Sequence, residues 1–336
     1  MTDPVQPEPS SSSLPRKPLV LIFIGMAGSG KSTLVDAIRL SLKANGKRVY
    51  TINLDPAVTY LSYRPNIDIR DTVNYKTVMS QYTLGPNGAI LTSLNFFATK
   101  FDQVLQILEK KTNMDYILID TPGQIEMFTW SASGQILTDA LASSFPTVIN
   151  YIIDTPRSQN PATFMSNMLY ACSVMYKSKL PLQLLFNKVD IIPSQFIHDW
   201  MNDSDKLQSV LDQDDSYMST LTHSMSLVLE EFYSTLKHAS VSALSREGFE
   251  QLETLFEEGR KEYDEVFFPL MEEMKQERQK KQDSQQSKEF EKVLADYQAE
   301  KEQREIEPEK EAAERPIRFV GVPVQLGKEE EDEDVF

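Results

Sequence analysis

The sequence predicts an α/β domain doubly wound about a mostly parallel sheet, and three observations carry that prediction. Five apolar runs have strand length: Leu19 to Ile24, Val49 to Leu54, Tyr116 to Ile119, Thr147 to Ile153 and Leu182 to Phe186. Helical spacing fills the stretches between them, and strands separated by helices pair in parallel through crossovers. The runs are largely apolar rather than alternating, as expected of strands covered on both faces.

The ends of these runs carry the chemistry. The first leads into Gly25-Met-Ala-Gly-Ser-Gly30-Lys31-Ser32, a full match to G-x-x-x-x-G-K-[ST], followed by the helical run Leu34 to Leu42. Gly25, Gly28 and Gly30 let the backbone turn and aim its N–H groups at phosphates, and the helix N-terminus adds a favourable field. Lys31 is expected on the β- and γ-phosphates and Ser32 on Mg²⁺, with Ala27, Ser29 and Thr33 completing the nucleotide-binding loop. This is the signature of a P-loop NTPase core. The third run, Tyr116-Ile-Leu-Ile-Asp120-Thr-Pro-Gly123-Gln124, ends in an acid suited to holding Mg²⁺, and Gly123 lets backbone approach the γ-phosphate.

The fifth run delivers Asn187-Lys188-Val-Asp190, the N-K-x-D pattern that reads guanine. The Asp190 carboxylate can accept from guanine N1–H and the 2-amino group, Asn187 can donate to N7, and the Lys188 stem can cover the base. Adenine offers no such donor pair, so Asp190 would be left unpaired against ATP. Further on, Ser240-Val-Ser242-Ala243-Leu244 either offers a backbone N–H to guanine O6 or is a plain loop.

Composition bounds the rest. Residues 1–18 are rich in Pro and Ser and read as a disordered extension; the domain is expected over 19–270. Within it, 191–239 carries amphipathic spacing, for example Met218, Leu221, Met225, Val228, Leu229 and Phe232, and reads as a helical insertion. From 271 to 336 a charged helix and an acidic disordered tail are expected, with 12 basic and 20 acidic residues and the block Glu329 to Asp334. The apolar island Ile317 to Leu326 either pairs with a sheet edge or partner or is inert tail. The formal charge of −16 argues against nucleic acid as a partner, though not against a nucleotide. The one cysteine, Cys172, cannot form an internal disulfide, which fits an intracellular protein. No apolar run reaches membrane-helix length. With His198, His223 and His238 scattered and one cysteine, no zinc cluster or nucleophile–His–acid pattern stands out.

Lys31 and Asp120 are 89 residues apart and enclose the second run, which ends Asn53-Leu-Asp55-Pro-Ala57. That long path resembles the SIMIBI class of dimerising NTPases. Inside it lies Gly85-Pro86-Asn87, and together with Asn66-Ile-Asp68-Ile-Arg-Asp71, Asp120-Thr-Pro-Gly-Gln124-Ile-Glu126 and Asn187 to Asp190 it resembles the GPN-loop GTPases over roughly 19–265. Phe164 to Cys172, Ser143 to Pro146 and the acidic tail look most like the eukaryotic paralogue involved in RNA polymerase II biogenesis.

The resemblance implies GTP and GDP as ligands, and a homodimer or a heterodimer with a paralogue in which Gly85-Pro86-Asn87 of one protomer reaches the other's nucleotide. It places Asp55, Gln124 and Glu126 near the attacking water. Gln124, directly after Gly123, can orient water without being a strong base, and Asp55 and Glu126 can relay its proton. The Asn87 amide can stabilise phosphate charge. Ordinary uses stand beside these: Asp55 on water of the metal shell, Glu126 in a helix cap, Asn87 in a turn. Met26 stands where many SIMIBI relatives carry a second P-loop lysine, and Arg64, Arg70 and Arg157 are available cations. Phe96, Phe97, Phe128, Trp130, Met165, Met168 and Met175 are either core or an apolar groove for polymerase subunits or other client segments. The implied setting is the cytoplasm with shuttling to the nucleus. A GTPase switch and a client-binding scaffold with slow hydrolysis are the two classes of function left; an ATP-using relative is disfavoured by Asn187 to Asp190.

Overall fold

The computed structural model describes residues 16–111, 113–211 and 235–273, together with positions 222, 224, 225, 232 and 276. The chain divides into two compact units, 1–271 and 272–336. In the second, only Glu272, Glu273 and Gln276 are described, so the expected charged helix and tail, with Ile317 to Leu326, lie outside the described residues. The extension before residue 16, His223 and most of 212–234 do so as well.

In the first unit, β1 (Leu19–Gly25) leads to α1 (Lys31–Ala44), β2 (Val49–Asn53) and a short β3 (Ile67–Asp68). The helices α2 (Ile69–Thr72), α3 (Tyr75–Gln81), α4 (Pro86–Ala98) and α5 (Phe101–Lys110) precede β4 (Tyr116–Asp120). Then come α6 (Ile125–Thr129), α7 (Ala132–Ser144), β5 (Thr147–Asp154), a 3₁₀ turn at Pro156–Gln159 and α8 (Pro161–Ser178). The last described elements include β6 (Leu182–Asn187), α9 (Gln195–Asn202), α10 (Ser204–Leu211), β7 (Lys237–Val241) and α11 (Leu252–Glu262).

The sheet has seven strands in the order β3-β2-β4-β1-β5-β6-β7, and every pairing is parallel. Residues along β1 alternate between two cores. Leu19, Leu21 and Phe23 pack with Leu34, Val35 and Ile38 of α1 and with Leu252, Leu255 and Phe256 of α11. Val20, Ile22 and Ile24 pack on the other face with Leu94 of α4, Leu137 of α7 and Phe164 of α8. Each strand is therefore apolar on both sides, which is why these runs were readable as buried parallel strands. All five anticipated strands form, with ends within one residue of the apolar runs.

Two strands were not anticipated. β3 has two residues. β7, Lys-His-Ala-Ser-Val, is mostly polar and fully buries only Ala239 and Val241. It falls where helical spacing was expected up to 239, so the strand begins at Lys237. Inside that stretch α9 and α10 are helical, and Ile197, Trp200, Met201, Leu207 and Leu211 join the α8-side core. Among the described residues no helix is long and apolar enough to cross a membrane.

The sheet order indicates where a ligand would sit. β1 sits between β4 and β5, and in open α/β sheets ligands bind beyond the carboxyl ends of the strands where the strand order reverses. The loops after β1, β2, β4, β5, β6 and β7 all emerge at that edge because the strands are parallel. Beneath the loop after β4, α6 crosses α7 so closely that a side chain at Gly134 would collide with the Phe128 carbonyl. We expect Gly134→Ala to destabilise the protein by on the order of 2 kcal/mol through overpacking, measured by urea unfolding. An unchanged midpoint would show that α6 is free to shift.

Candidate nucleotide site

The loop Gly25–Ser32 turns from β1 into α1 with Gly28 at φ 82° and Gly30 at φ 89°, left-handed values that favour glycine. Lys31 folds back over the loop, its Nζ donating to the carbonyls of Gly25 at 2.7 Å and Met26 at 3.1 Å. Burial lowers the Lys31 pKa, while Asp120 and Asp55 pull it back up. The ammonium is thus held in the cradle where the sequence expected it to meet phosphates.

Three other side chains grip the outside of the same loop. Asn187 Nδ2 donates to the Ser29 carbonyl at 2.9 Å, and Lys188 Nζ donates to the Gly28 carbonyl at 2.7 Å. Arg157 Nη1 donates to the Ala27 carbonyl at 3.3 Å. Gly30 permits the Asn187 contact, since a Cβ there would stand 2.6 Å from Nδ2. Lys188 adopts φ 68°, an uncommon left-handed conformation for a long side chain and a mark of a constrained functional turn.

The loops expected to read the base are tied to this grip. Asn187 Oδ1 accepts from the Ala243 N–H at 3.2 Å, and Ser242 Oγ donates to Asp190 Oδ1 at 2.6 Å. Ser242 Oγ in turn accepts from the N–H groups of Leu244 and Ser245. Two expectations are sharpened here. Of the segment Ser240 to Leu244, expected either to offer a backbone N–H to guanine O6 or to be a plain loop, the Ala243 N–H is directed at Asn187, and Asn187 is a buried clasp between three loops before it is a reader of N7. Asp190 is exposed, with its Oδ1 on the Ser242 hydroxyl.

The acid side of the site is crowded. Asp120, fully buried at the end of β4, has its pKa pushed up to about 6, chiefly by burial, against the opposing pull of Ser32, Lys31 and Tyr63. Tyr63 donates its hydroxyl to Asp120 Oδ2 at 3.2 Å, whereas Oδ1 is buried without a hydrogen-bond partner. Tyr63 was not foreseen. It lies in the loop between β2 and β3, where a tyrosine carries no motif. Asp55, its pKa also raised by burial, accepts from the N–H of Ala57 at 2.9 Å and of Gly123 at 3.3 Å. It thereby links the end of β2 to the loop after β4. Asn53 steadies the turn, donating to the Asp55 carbonyl and to Asp68.

Gln124 is the exposed N-cap residue of α6, and Glu126 stands exposed in its first turn, where a negative charge also suits the helix end. Gly85 and Pro86 begin α4 as N-cap and first residue, and Asn87 follows, all three exposed. The Pro86 carbonyl accepts from Tyr75. Asp154, missed by sequence reading, ends β5 as Asp120 ends β4, and its Oδ2 takes Lys188 Nζ at 2.7 Å. The residues read as either core or an apolar groove divide: Phe97, Phe128, Met165 and Met168 are core, Met175 is partly buried, and Phe96 and Trp130 are exposed.

With this geometry in place, comparison with known proteins becomes informative. A family profile described as "Conserved hypothetical ATP binding protein" matches residues 23–262. GPN-loop GTPase 1 of Dictyostelium discoideum is 53% identical over 287 residues, covering 85% of this chain and 72% of that protein. The chain belongs to the GPN-loop GTPase family. GPN-loop GTPase 1 of Schizosaccharomyces pombe is 48% identical, with 87% of this chain and 82% of that protein covered. The apo crystal structure of a Pyrococcus abyssi GTPase superposes with a TM-score of 0.63 at 31% identity, covering 72% of this chain and 97% of that one. This chain thus shares its fold with the Pyrococcus abyssi GTPase.

Asp120 supplies a test by pH. Its folded-state pKa lies above that of an unfolded aspartate, so its ionisation costs stability above about pH 6, and the cost is relieved as pH falls through 6 toward the ordinary range. Asp120→Asn, which mimics the neutral acid, should therefore exceed wild type in stability at about pH 7.5 without divalent cations, by ~1–3 kcal/mol. That gap should narrow steadily as pH falls from about 6 and close below the ordinary aspartate pKa of 3.8 in denaturant titrations; a constant gap would place the burial cost elsewhere.

Proposed function

We propose that this chain binds GTP and hydrolyses it to GDP, the switch cycle of a GPN-loop GTPase. One observation carries the reading: Asn187 and Lys188, the two adjacent residues that open the turn presenting Asp190, hold the carbonyls of Ser29 and Gly28. The loop carrying Asp190 and the phosphate loop are thereby fastened to each other. Asp190 can accept from the guanine N1–H and 2-amino donors, which adenine lacks, and this favours GTP over the ATP of the family profile's description.

The residues present fit Mg²⁺. Ser32 opens α1 beside Asp120, whose Oδ1 is buried and unpartnered, and a cation there would relieve a carboxylate that burial disfavours. Bound Mg²⁺ would supply positive charge to the phosphate oxygens. Lys31 would leave the Gly25 and Met26 carbonyls for the β- and γ-phosphates. The Gly123 N–H, now on Asp55, is the donor a γ-phosphate would compete for, and its release would free Asp55 toward the attacking water. Gln124 would orient that water, with Asp55 or Glu126 taking its proton. Gly85-Pro86-Asn87 stands exposed at the start of α4, suited to reach a second protomer's nucleotide, self or paralogue.

Within the cell we place this switch in the cytoplasm, shuttling to the nucleus, in assembly and import of RNA polymerase II; resemblance of the chain and its acidic tail to that paralogue supports this. Exposed Phe96 and Trp130 leave an apolar surface for client segments, so a scaffold with hydrolysis as a slow timer is the second reading.

Calorimetric titration with GTP, ATP and a non-hydrolysable GTP analogue, with molar mass measured in each state, tests the assignment. Tighter binding of GTP is expected, and preference for ATP would overturn it. Gln124→Leu and Asn87→Ala should each slow single-turnover hydrolysis by roughly 10²-fold. Unchanged rates in both would remove them from the mechanism.

A further inference from the structure

The sequence left three arginines as available cations, and the structure separates them. Arg70 is committed: Nε and Nη2 fork onto both oxygens of Asp68 at 2.6–3.1 Å, and Nη1 donates to the Val58 carbonyl at 3.1 Å. Arg64 is exposed in the loop between β2 and β3. Arg157 alone of the three lies on the P-loop, with Nη1 on the Ala27 carbonyl and the guanidinium 3.4–3.8 Å from where a Cβ of Gly28 would stand.

Its attachment is firm at the backbone and loose at the side chain. The Arg157 N–H donates to Asp154 Oδ1 at 3.4 Å, at the head of the 3₁₀ turn that follows β5, which places the residue beside β1. The guanidinium, 65% exposed, approaches Asp154 Oδ2 only to 3.5 Å, whereas Lys188 holds that same oxygen at 2.7 Å. Asp154 thus keeps Lys188 as its main partner if Arg157 turns away, and exposed ion pairs of such length hold weakly. The rim it covers, Met26 to Gly28, brings no charged side chain of its own. A planar guanidinium with five donors suits phosphate oxygens, and the Ala27 carbonyl occupies only one of them.

We propose that Arg157 is a phosphate-contacting residue acting within its own protomer: on nucleotide binding it exchanges the Ala27 carbonyl for oxygens of the polyphosphate chain. It supplies the cation that Met26 does not, while Lys188 stays on Gly28 and Asp154. This inference rests on the reading of the site as a guanine-nucleotide pocket.

Titration of wild type, Arg157→Gln and Arg157→Lys with GMP, GDP and GTP tests it, with thermal unfolding of each protein as the control for folding. In Arg157→Gln, affinity for GDP and GTP should fall at least tenfold while that for GMP stays within about twofold, and Arg157→Lys should recover part of the loss. Equal losses for all three nucleotides would mean that Arg157 only shapes the loop, and undiminished GDP and GTP affinity would mean that it stays on Ala27; either overturns the proposal. Failure of the wild-type protein to bind any guanine nucleotide would instead overturn the reading beneath it.

Discussion

The grip of Asn187 on the P-loop is the contact on which the rest of the site depends. A loop built to wrap phosphates leaves its carbonyls pointing outward, and a buried carbonyl without a donor is costly. Here the buried Ser29 carbonyl receives Asn187, and the exposed Gly28 and Ala27 carbonyls receive Lys188 and Arg157, all from the neighbouring strand ends, β6 and β5. Because Asn187 also accepts from Ala243, the same amide binds the β7 loop into the assembly. The left-handed turn at Lys188 and the absence of a side chain at Gly30 are consequences of that geometry.

Opposite this polar clasp stands a group of charges that burial disfavours. Lys31 has its pKa lowered, and Asp55 and Asp120 have theirs raised, each chiefly by desolvation. Such a group is poised for a charged ligand, since phosphates with their cation neutralise both signs at once. Asp55 adds a mechanical element. Its hold on the Gly123 N–H joins the end of β2 to the loop that leads into α6. Gly134 lets α6 sit directly on α7, so the loop after β4 rests on a close-packed base.

What was legible in the sequence was contiguous. The five main strands showed because burial on both faces leaves uninterrupted apolar runs, and the phosphate loop, Asp120 and Asn187 to Asp190 showed because each is a short pattern at the end of such a run. The remainder is made by contacts distant in sequence. Tyr63 meets Asp120, and Asp154 meets Lys188, across gaps that no local pattern spans. That Arg70 is locked to Asp68 while Arg157 lies on the P-loop was equally invisible, because all three candidate arginines look alike in a linear chain. β7 was hidden by its polar composition, which reflects one buried residue in two at the edge of the sheet.

The central claim, that the base-reading strand end holds the phosphate loop in shape, is tested most directly by hydrogen exchange on ligand-free protein. Amides of residues 25–33 should exchange faster in Asn187→Ala than in wild type, while those of β1 and β4 remain equally protected. Unchanged exchange over 25–33 in the variant would contradict the account, because the phosphate loop would then hold its form without the clasp.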